Sequence, residues 1–199
     1  VMAGEHSVLS PSSAHRRIRC VGSLAACKGI PNEATSYAAE GTAYHEIAAS
    51  VLEALKSGKL GDGPFTCEKF VNSVIVADGF EFVINEEDAA HAQTYVDAVR
   101  RLPGEQMYEV RLDTSLWLGI EGQGGTGDCV TLDYENATIH VDDLKFGRGE
   151  VVYAEGNEQL LEYAAAALRM FDMLCDWKHV RVGIHQPRIR FVDELEMTV

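Results

Sequence analysis

The stretch Asp128-Cys129-Val130-Thr131-Leu132-Asp133-Tyr134-Glu135-Asn136-Ala137-Thr138-Ile139-His140-Val141-Asp142-Asp143-Leu144-Lys145-Phe146 decides how the rest of the chain is read. Two β-branched, apolar-alternating runs flank Glu135-Asn136, so a hairpin is predicted with strands over 128–134 and 138–146. With the turn at 135–136, residue 143 pairs near residue 128. Side chains alternate across a strand, so Asp143 and Lys145 share one face while Asp142 and Leu144 take the other. Two carboxylates and an ammonium thus meet across adjacent strands. On an open surface that is an ion pair. In a cleft, the carboxylates can hold a hard divalent cation and the lysine can sit beside the charge that develops there.

Outward from the hairpin, Gly122-Gln123-Gly124-Gly125-Thr126-Gly127 reads as a glycine-rich bend, without the lysine and Ser/Thr of a phosphate-binding loop. Before it, Gln106–Leu112 and Leu116–Ile120 read as strands. Glu86–Arg101 reads as a helix, acidic at its start, basic at its end and stopped by Pro103-Gly104. Phe65–Val71 and Ser73–Ile84 read as short strands. Thr42 to Lys56 reads as a helix because Ala43, Ile47, Val51 and Leu55 recur every four residues; Gly58 and Gly61-Asp62-Gly63-Pro64 end it. Ser10-Pro11-Ser12-Ser13 opens a short helix to about Cys20, and Lys28-Gly29-Ile30-Pro31-Asn32 is a loop. After the hairpin, Gly147-Arg148-Gly149 breaks the chain. Asn157–Cys175 is then a helix, with Gln159 and Tyr163 on one face, and Val180–Arg190 a strand. The expected fold class is α/β or α+β, a mixed central sheet flanked by helices. One domain is expected over 1–199, with a helical N-terminal part at about 10–60 and the sheet with its helices at about 65–190.

The 199 residues carry 46% hydrophobic and 24% charged side chains, enough for a core that needs no staples. The net charge of −14 argues against a protein that coats nucleic acid by bulk charge. Residues 1–60 hold six Lys/Arg against five Asp/Glu, and residues 61–199 eleven against twenty-six, so the basic residues Arg16, Arg17 and Arg19 stand out near the start. Five cysteines without a CxxC pair speak against a disulfide framework or a zinc ribbon. No apolar run reaches the ~18 residues of a membrane span, and Val1–Ser7 lacks the layout of a signal peptide, so no membrane partner and a cytoplasmic setting are expected.

His45, Gly125-Thr126-Gly127-Asp128, Asp143-Leu144-Lys145 and Gln159-Leu160-Leu161-Glu162-Tyr163, in this order, resemble the PD-(D/E)XK nuclease superfamily in its RecB-like branch. The start Ser10-Pro11-Ser12-Ser13…Cys20 is similar too, although Val21 stands where the pattern usually has proline. The runs Ala38–Glu46 and Ile184-His185-Gln186-Pro187-Arg188 resemble phage- and prophage-encoded members. The resemblance covers about residues 10–190. It implies a restriction-endonuclease-like core and a Mg²⁺- or Mn²⁺-dependent deoxyribonuclease, an exonuclease of phage recombination or DNA processing, in a bacterial host or phage-infected cell. It implies Asp128 and Asp143 as metal ligands with the Leu144 carbonyl, His45 and Glu109 as further ligands, and Lys145 at the water or phosphate. Gln159 and Tyr163 would steady the site and touch the DNA. Without a C-terminal cysteine triplet, no iron–sulfur cluster is expected. DNA is the implied partner, with a homo-oligomer and a single-strand annealing recombinase as further ones. The alternative is a nuclease fold that binds DNA or a recombination partner without cutting.

Each residue also has a plainer reading. His45 on an alanine-rich helix can be a half-buried histidine. Arg16, Arg17 and Arg19 can be a solvated face or a phosphate grip, and Arg148 in its loop is placed to meet a phosphate or has no role. Cys20, Cys27 and Cys129 are expected to be small buried residues. Glu121, Asp133 and Asp142 are expected to be solvated or charge-balancing.

Overall fold

A computed structural model describes residues 9–30, 34–58 and 65–199. Its elements in chain order are α1 (Ala14–Arg19), α2 (Ser23–Ala26), α3 (Ser36–Ser57), β1 (Val74–Ala77), β2 (Phe80–Val83), α4 (Glu86–Val99), β3 (Glu105–Asp113), α5 (Ser115–Leu118), β4 (Gly124–Asp133), β5 (Thr138–Leu144), α6 (Glu158–Phe171), β6 (His179–Gln186) and β7 (Phe191–Thr198). The three long helices start where side chains accept orphan amides: Thr35 Oγ1 from Ala38 N–H, Asn85 Oδ1 from Asp88 N–H and Asn157 Oδ1 from Leu160 N–H. Gly58, with φ of 63°, closes α3 in the left-handed region.

The main sheet has the order β3-β4-β5-β6-β7. All neighbours are antiparallel except β5 and β6, which run parallel because α6 carries the chain across the sheet between them. The class is therefore α+β with a mixed sheet between helices. Helix α6 covers one face, where Val130, Leu132, Ile139, Val141, Leu160 and Ala164 pack. Helices α3 and α4 cover the other, where Tyr44, Ile47, Leu52, Val96, Cys129 and Leu144 pack. Both faces of β5 are dry in consequence, and all seven of its residues are buried. Among the described residues no helix is long and apolar enough to cross a membrane.

The hairpin expected at 135–136 is the β4–β5 pair, with Cys129 opposite Asp142. Asp133, expected to be solvated or charge-balancing, is buried and builds the turn: its carboxylate accepts from the amides of Glu135 and Asn136 and from the Asn136 side chain. Other expectations are corrected. Cys67–Phe70 is a 3-10 turn rather than part of a strand over Phe65–Val71, because its amide at Cys67 is taken by the Gln93 side chain of α4. Within Ser73–Ile84 the strands are β1 and β2, which pair only with each other. Leu116–Ile120 is not a strand: Asp113 Oδ1 accepts from Ser115 N–H at 2.7 Å, starting the single turn of α5, and Gly119 ends it. Gly124–Gly127 belong to β4 rather than to a bend. The last helix stops at Phe171, followed by a 3-10 turn over Asp172–Leu174. The strand expected over Val180–Arg190 stops at Gln186; Pro187–Ile189 turn, and the edge strand β7 follows. Cys129 is buried as expected, but Cys20 is exposed and Cys27 half-buried. Gly61–Pro64, Pro31 and Asn32 lie outside the described residues.

Candidate metal centre

Three elements bring ligand atoms together midway along the β3–β4 pair. α3 supplies His45, β3 supplies Glu109 and β4 supplies Asp128; one ligand atom from each lies within 4.8 Å of the others. The β3–β4 register sets Tyr108 against Cys129 and Val110 against Gly127, which leaves Glu109 opposite Asp128. Glu109 has φ of 50°, a left-handed conformation that costs a non-glycine residue ~1–3 kcal/mol and is held here by the strand pairing on both sides. His45, Glu109, Asp128, Leu144 and Tyr95 line a cavity of about 10 Å³, room for one water or one ion. The buried Tyr95 hydroxyl on its wall has no hydrogen-bond partner among the described residues.

The electrostatics follow from proximity. Burial alone would lower His45, but Asp128 Oδ1 lies 3.1 Å from its Nδ1, and that carboxylate carries the imidazole up to about 9. Asp128 is held below the usual carboxylate range, since His45 and the Leu144 amide, which donates to Oδ2 at 2.7 Å, outweigh its burial. Glu109 is pushed up to about 7 by loss of solvent around its carboxyl and by repulsion from Asp128. Leu144 thus touches the site through its N–H.

A second cluster adjoins the first. Asp143 lies on the α6 face of the sheet, as the alternation requires. Lys145 Nζ is 2.9 Å from Asp143 Oδ2 and donates to Gln159 Oε1 at 3.0 Å, while Gln159 Nε2 donates to Asp143 Oδ1 at 3.1 Å. Burial and the nearby Asp128 charge raise the Asp143 carboxyl against the pull of Lys145. Asp128 and Asp143 are thus pushed in opposite directions, Asp128 toward its charged form and Asp143 toward its protonated one. Tyr163 packs beneath β4. A Cβ on Gly125 would come 2.6 Å from the Tyr163 hydroxyl oxygen and 3.1 Å from Pro11 Cδ, so the glycine three residues before Asp128 is required by close approach.

The expected residues therefore divide. His45, Glu109 and Asp128 form one group, and Asp143, Lys145 and Gln159 another beside it; Asp143 is engaged with Lys145 and Gln159 rather than being part of the first trio. Of the expected DNA contacts, Arg17 is salt-bridged to Glu162 of α6 and nearly buried, which makes it a tie between α1 and α6. Arg19 lies 3.7 Å from Glu158, Arg148 lies 3.5 Å from Asp88, and Arg16 is exposed.

Two buried pairs went unassigned from sequence. Asp142, expected to be solvated or charge-balancing, is buried with Oδ1 2.8 Å from His185 Nε2, in space that Gly183 leaves by having no side chain. Arg188 is 4% exposed and grips Glu40 at 2.8 Å through both Nη atoms and Asp88 through Nε and Nη2, over the Phe146 ring. The first pair ties β5 to β6, and the Arg188 group clamps the starts of α3 and α4 to the turn after β6. The only signal for them was a set of charges next to apolar runs, which does not say who pairs with whom.

The model of one protein family, described as a protein of unknown function, DUF2800, matches residues 6–199. The chain belongs to the DUF2800 family. No solved structure matches it significantly. The match takes in every residue of both clusters, so the geometry above is that of a DUF2800 domain.

Proposed function

We propose that this DUF2800 chain is a metal-dependent deoxyribonuclease that hydrolyses phosphodiester bonds, with an exonuclease of phage recombination or DNA processing as its specific form. The observation that carries the reading is the contact of Lys145 with Asp143 and Gln159 beside the His45, Glu109 and Asp128 trio. The run β3-β4-β5-α6-β6, with only β5 and β6 parallel, supports a restriction-endonuclease-like core. The oxygen-rich donor set fits Mg²⁺, and the imidazole suits Mn²⁺ as well. His45, Glu109 and Asp128 would hold the ion, with Asp143 close by. Bound there, the ion would polarise the phosphate and acidify a water. Asp143 would orient the attacking water and take up its proton, which its raised affinity for protons favours. Lys145 would stabilise charge on the phosphate oxygens as the P–O3′ bond breaks and leaves a 5′-phosphate. Gln159 fixes both side chains, and Tyr163 supports the strand that carries Asp128. A cytoplasmic setting accompanies this reading.

The test is degradation of end-labelled linear and closed circular DNA with Mg²⁺, Mn²⁺ or EDTA. Loss of linear DNA that EDTA blocks, and that Asp143→Asn and Lys145→Ala abolish without unfolding the protein, is the expected result. No cleavage in either metal overturns it. The reading of a non-cutting protein has one observation behind it, and that observation favours a recombination partner over DNA: Arg17 and Arg148 face Glu162 and Asp88, which thins the basic rim that DNA needs.

A further inference from the structure

Tyr95 of α4 is 2% exposed, and its hydroxyl meets no donor or acceptor among the described residues. Buried hydroxyls are nearly always satisfied, so one that the chain leaves alone points to a partner of another kind. The residue lines the cavity of the metal centre, beside the ligand trio His45, Glu109 and Asp128. Its neighbours on that wall are Ala48, Ala49, Leu52 and Leu144, whose side chains carry no polar atom. Burial pushes its phenol well above the ordinary value, and Cys129, Asp128, Asp142 and Asp143 push it further, so the group stays a neutral hydroxyl. Those four belong to β4 and β5, the strands around the cavity, which sets the hydroxyl on the sheet side of α4. The ring is held edge-on against His185, with centroids 5.2 Å apart, and His185 is itself fixed by Asp142.

Mg²⁺ demands octahedral coordination and keeps several of its waters. Three protein ligands leave the other positions to water or substrate. A water on a cation turns its lone pair to the ion and its hydrogens outward, so it needs acceptors around it. On a wall of alanine and leucine side chains, the Tyr95 oxygen is the one side-chain acceptor outside the trio among the described residues. The cavity volume is that of a single water. We propose that Tyr95 is a positioning residue of the metal centre, its hydroxyl oxygen accepting a hydrogen bond from a water on the ion that His45, Glu109 and Asp128 hold. This rests on the metal centre of the nuclease reading and adds a residue from a further element, α4.

Tyr95→Phe removes the oxygen and keeps the ring on His185, and calorimetry with Mn²⁺ in the absence of DNA reads the result. The variant should bind Mn²⁺ about tenfold or more weakly than the native protein, as when other groups behind a metal ligand are removed. In EDTA it should melt at the same temperature as the native protein or higher, because it no longer keeps an unpaired hydroxyl in a dry place. A tyrosine with a merely structural role would not separate the two readouts in this way. Mn²⁺ should bind the native protein without the ultraviolet band of an ionised tyrosine. An affinity within about twofold of native overturns the proposal. So does a melting temperature that falls in EDTA as far as it falls with Mn²⁺. A tyrosinate band overturns it by making the phenol a direct ligand, and a native protein silent to Mn²⁺ overturns the metal centre and this contact with it. Cleavage of linear DNA, assayed in parallel, separates the two readings. Cleavage with no effect of Tyr95 on Mn²⁺ affinity sinks the tyrosine's role alone, and Tyr95-dependent Mn²⁺ binding without cleavage sinks the nuclease alone.

Discussion

Arg188 and Asp88 meet through two parallel hydrogen bonds, Nε to Oδ1 at 2.8 Å and Nη2 to Oδ2 at 2.7 Å. One residue follows β6 and the other lies in the first turn of α4, so the pair fixes how the helical layer sits on the sheet. Glu40, on the helix that carries His45, takes one donor from each Nη atom, and the Phe146 carbonyl accepts another from Nη1 at 3.3 Å. Arg188→Ala would leave two carboxylates without their cation in a mostly buried place, at a cost of about 3–5 kcal/mol. Denaturant unfolding of the variant measures this. A loss below 1 kcal/mol would mean that the clamp contributes little.

The same pair sets an acid limit. Burial would raise the Asp88 carboxyl, but the hydrogen bonds and charge of Arg188 more than offset this and hold it below its ordinary value. A carboxyl depressed in the folded state contributes stability above its unfolded pKa of ~3.9, and loses it as pH falls through the folded value. Stability should therefore drop below about pH 4. Asp88→Asn should be less stable at pH 7 and show a shallower acid limb in urea titrations taken at a series of pH values.

Mn²⁺ binding should stabilise the protein. At a hundred times its dissociation constant an ion adds about 2.7 kcal/mol, and for a chain of this size that raises Tm by ~5–10 °C. His45→Ala and Asp128→Asn should lose the shift in a thermal melt, since each removes one member of the trio. An unchanged shift in both variants would place the ion elsewhere.

Gln159 joins Lys145 to Asp143 with one acceptor and one donor. Gln159→Leu keeps the volume and removes both bonds. If Lys145 acts on the phosphate, kcat should fall by about tenfold or more, as expected for ~1.5–3 kcal/mol of charge-assisted hydrogen bonding, with KM changed less. Steady-state cleavage of a labelled linear duplex separates the two constants.

Gly125→Ala tests the close approach beneath β4. The added methyl would meet the Tyr163 hydroxyl oxygen at 2.6 Å, so Tyr163 must shift, at ~1–3 kcal/mol. Gly125→Ala combined with Tyr163→Phe should recover part of the loss in chemical denaturation, because the phenol oxygen is the closest atom.

The β4–β5 hairpin was legible because two alternating runs and one turn specify a register, and that register alone places Asp143 opposite Asp128. Helices α3, α4 and α6 were legible from period and breakers, although α3 starts at Ser36 behind the Thr35 cap rather than at Thr42. Cys67–Phe70 and Ser115–Leu118 misled because short apolar runs look alike as strands and as single turns; Gln93 and Asp113 decided them by taking a backbone amide. β7 was missed although its burial alternates residue by residue, because Asp193 stands on the inward face, where its carboxylate accepts from Ala154 N–H, and interrupts the apolar alternation.

By itself the sequence determined local geometry: where the three long helices lie, where the hairpin turns, and that Asp143 and Lys145 share a face. Periodicity and turn chemistry act over a few residues and need no partner. Only the tertiary structure decided which charges neutralise which. It gave Arg17 to Glu162, Arg188 to Glu40 and Asp88, and Asp142 to His185, and it set Glu109 with His45. Those pairings span from 43 to 148 residues of chain. They are fixed by the packing of α3, α4 and α6 against two faces of one sheet, which dictates what each buried charge can reach.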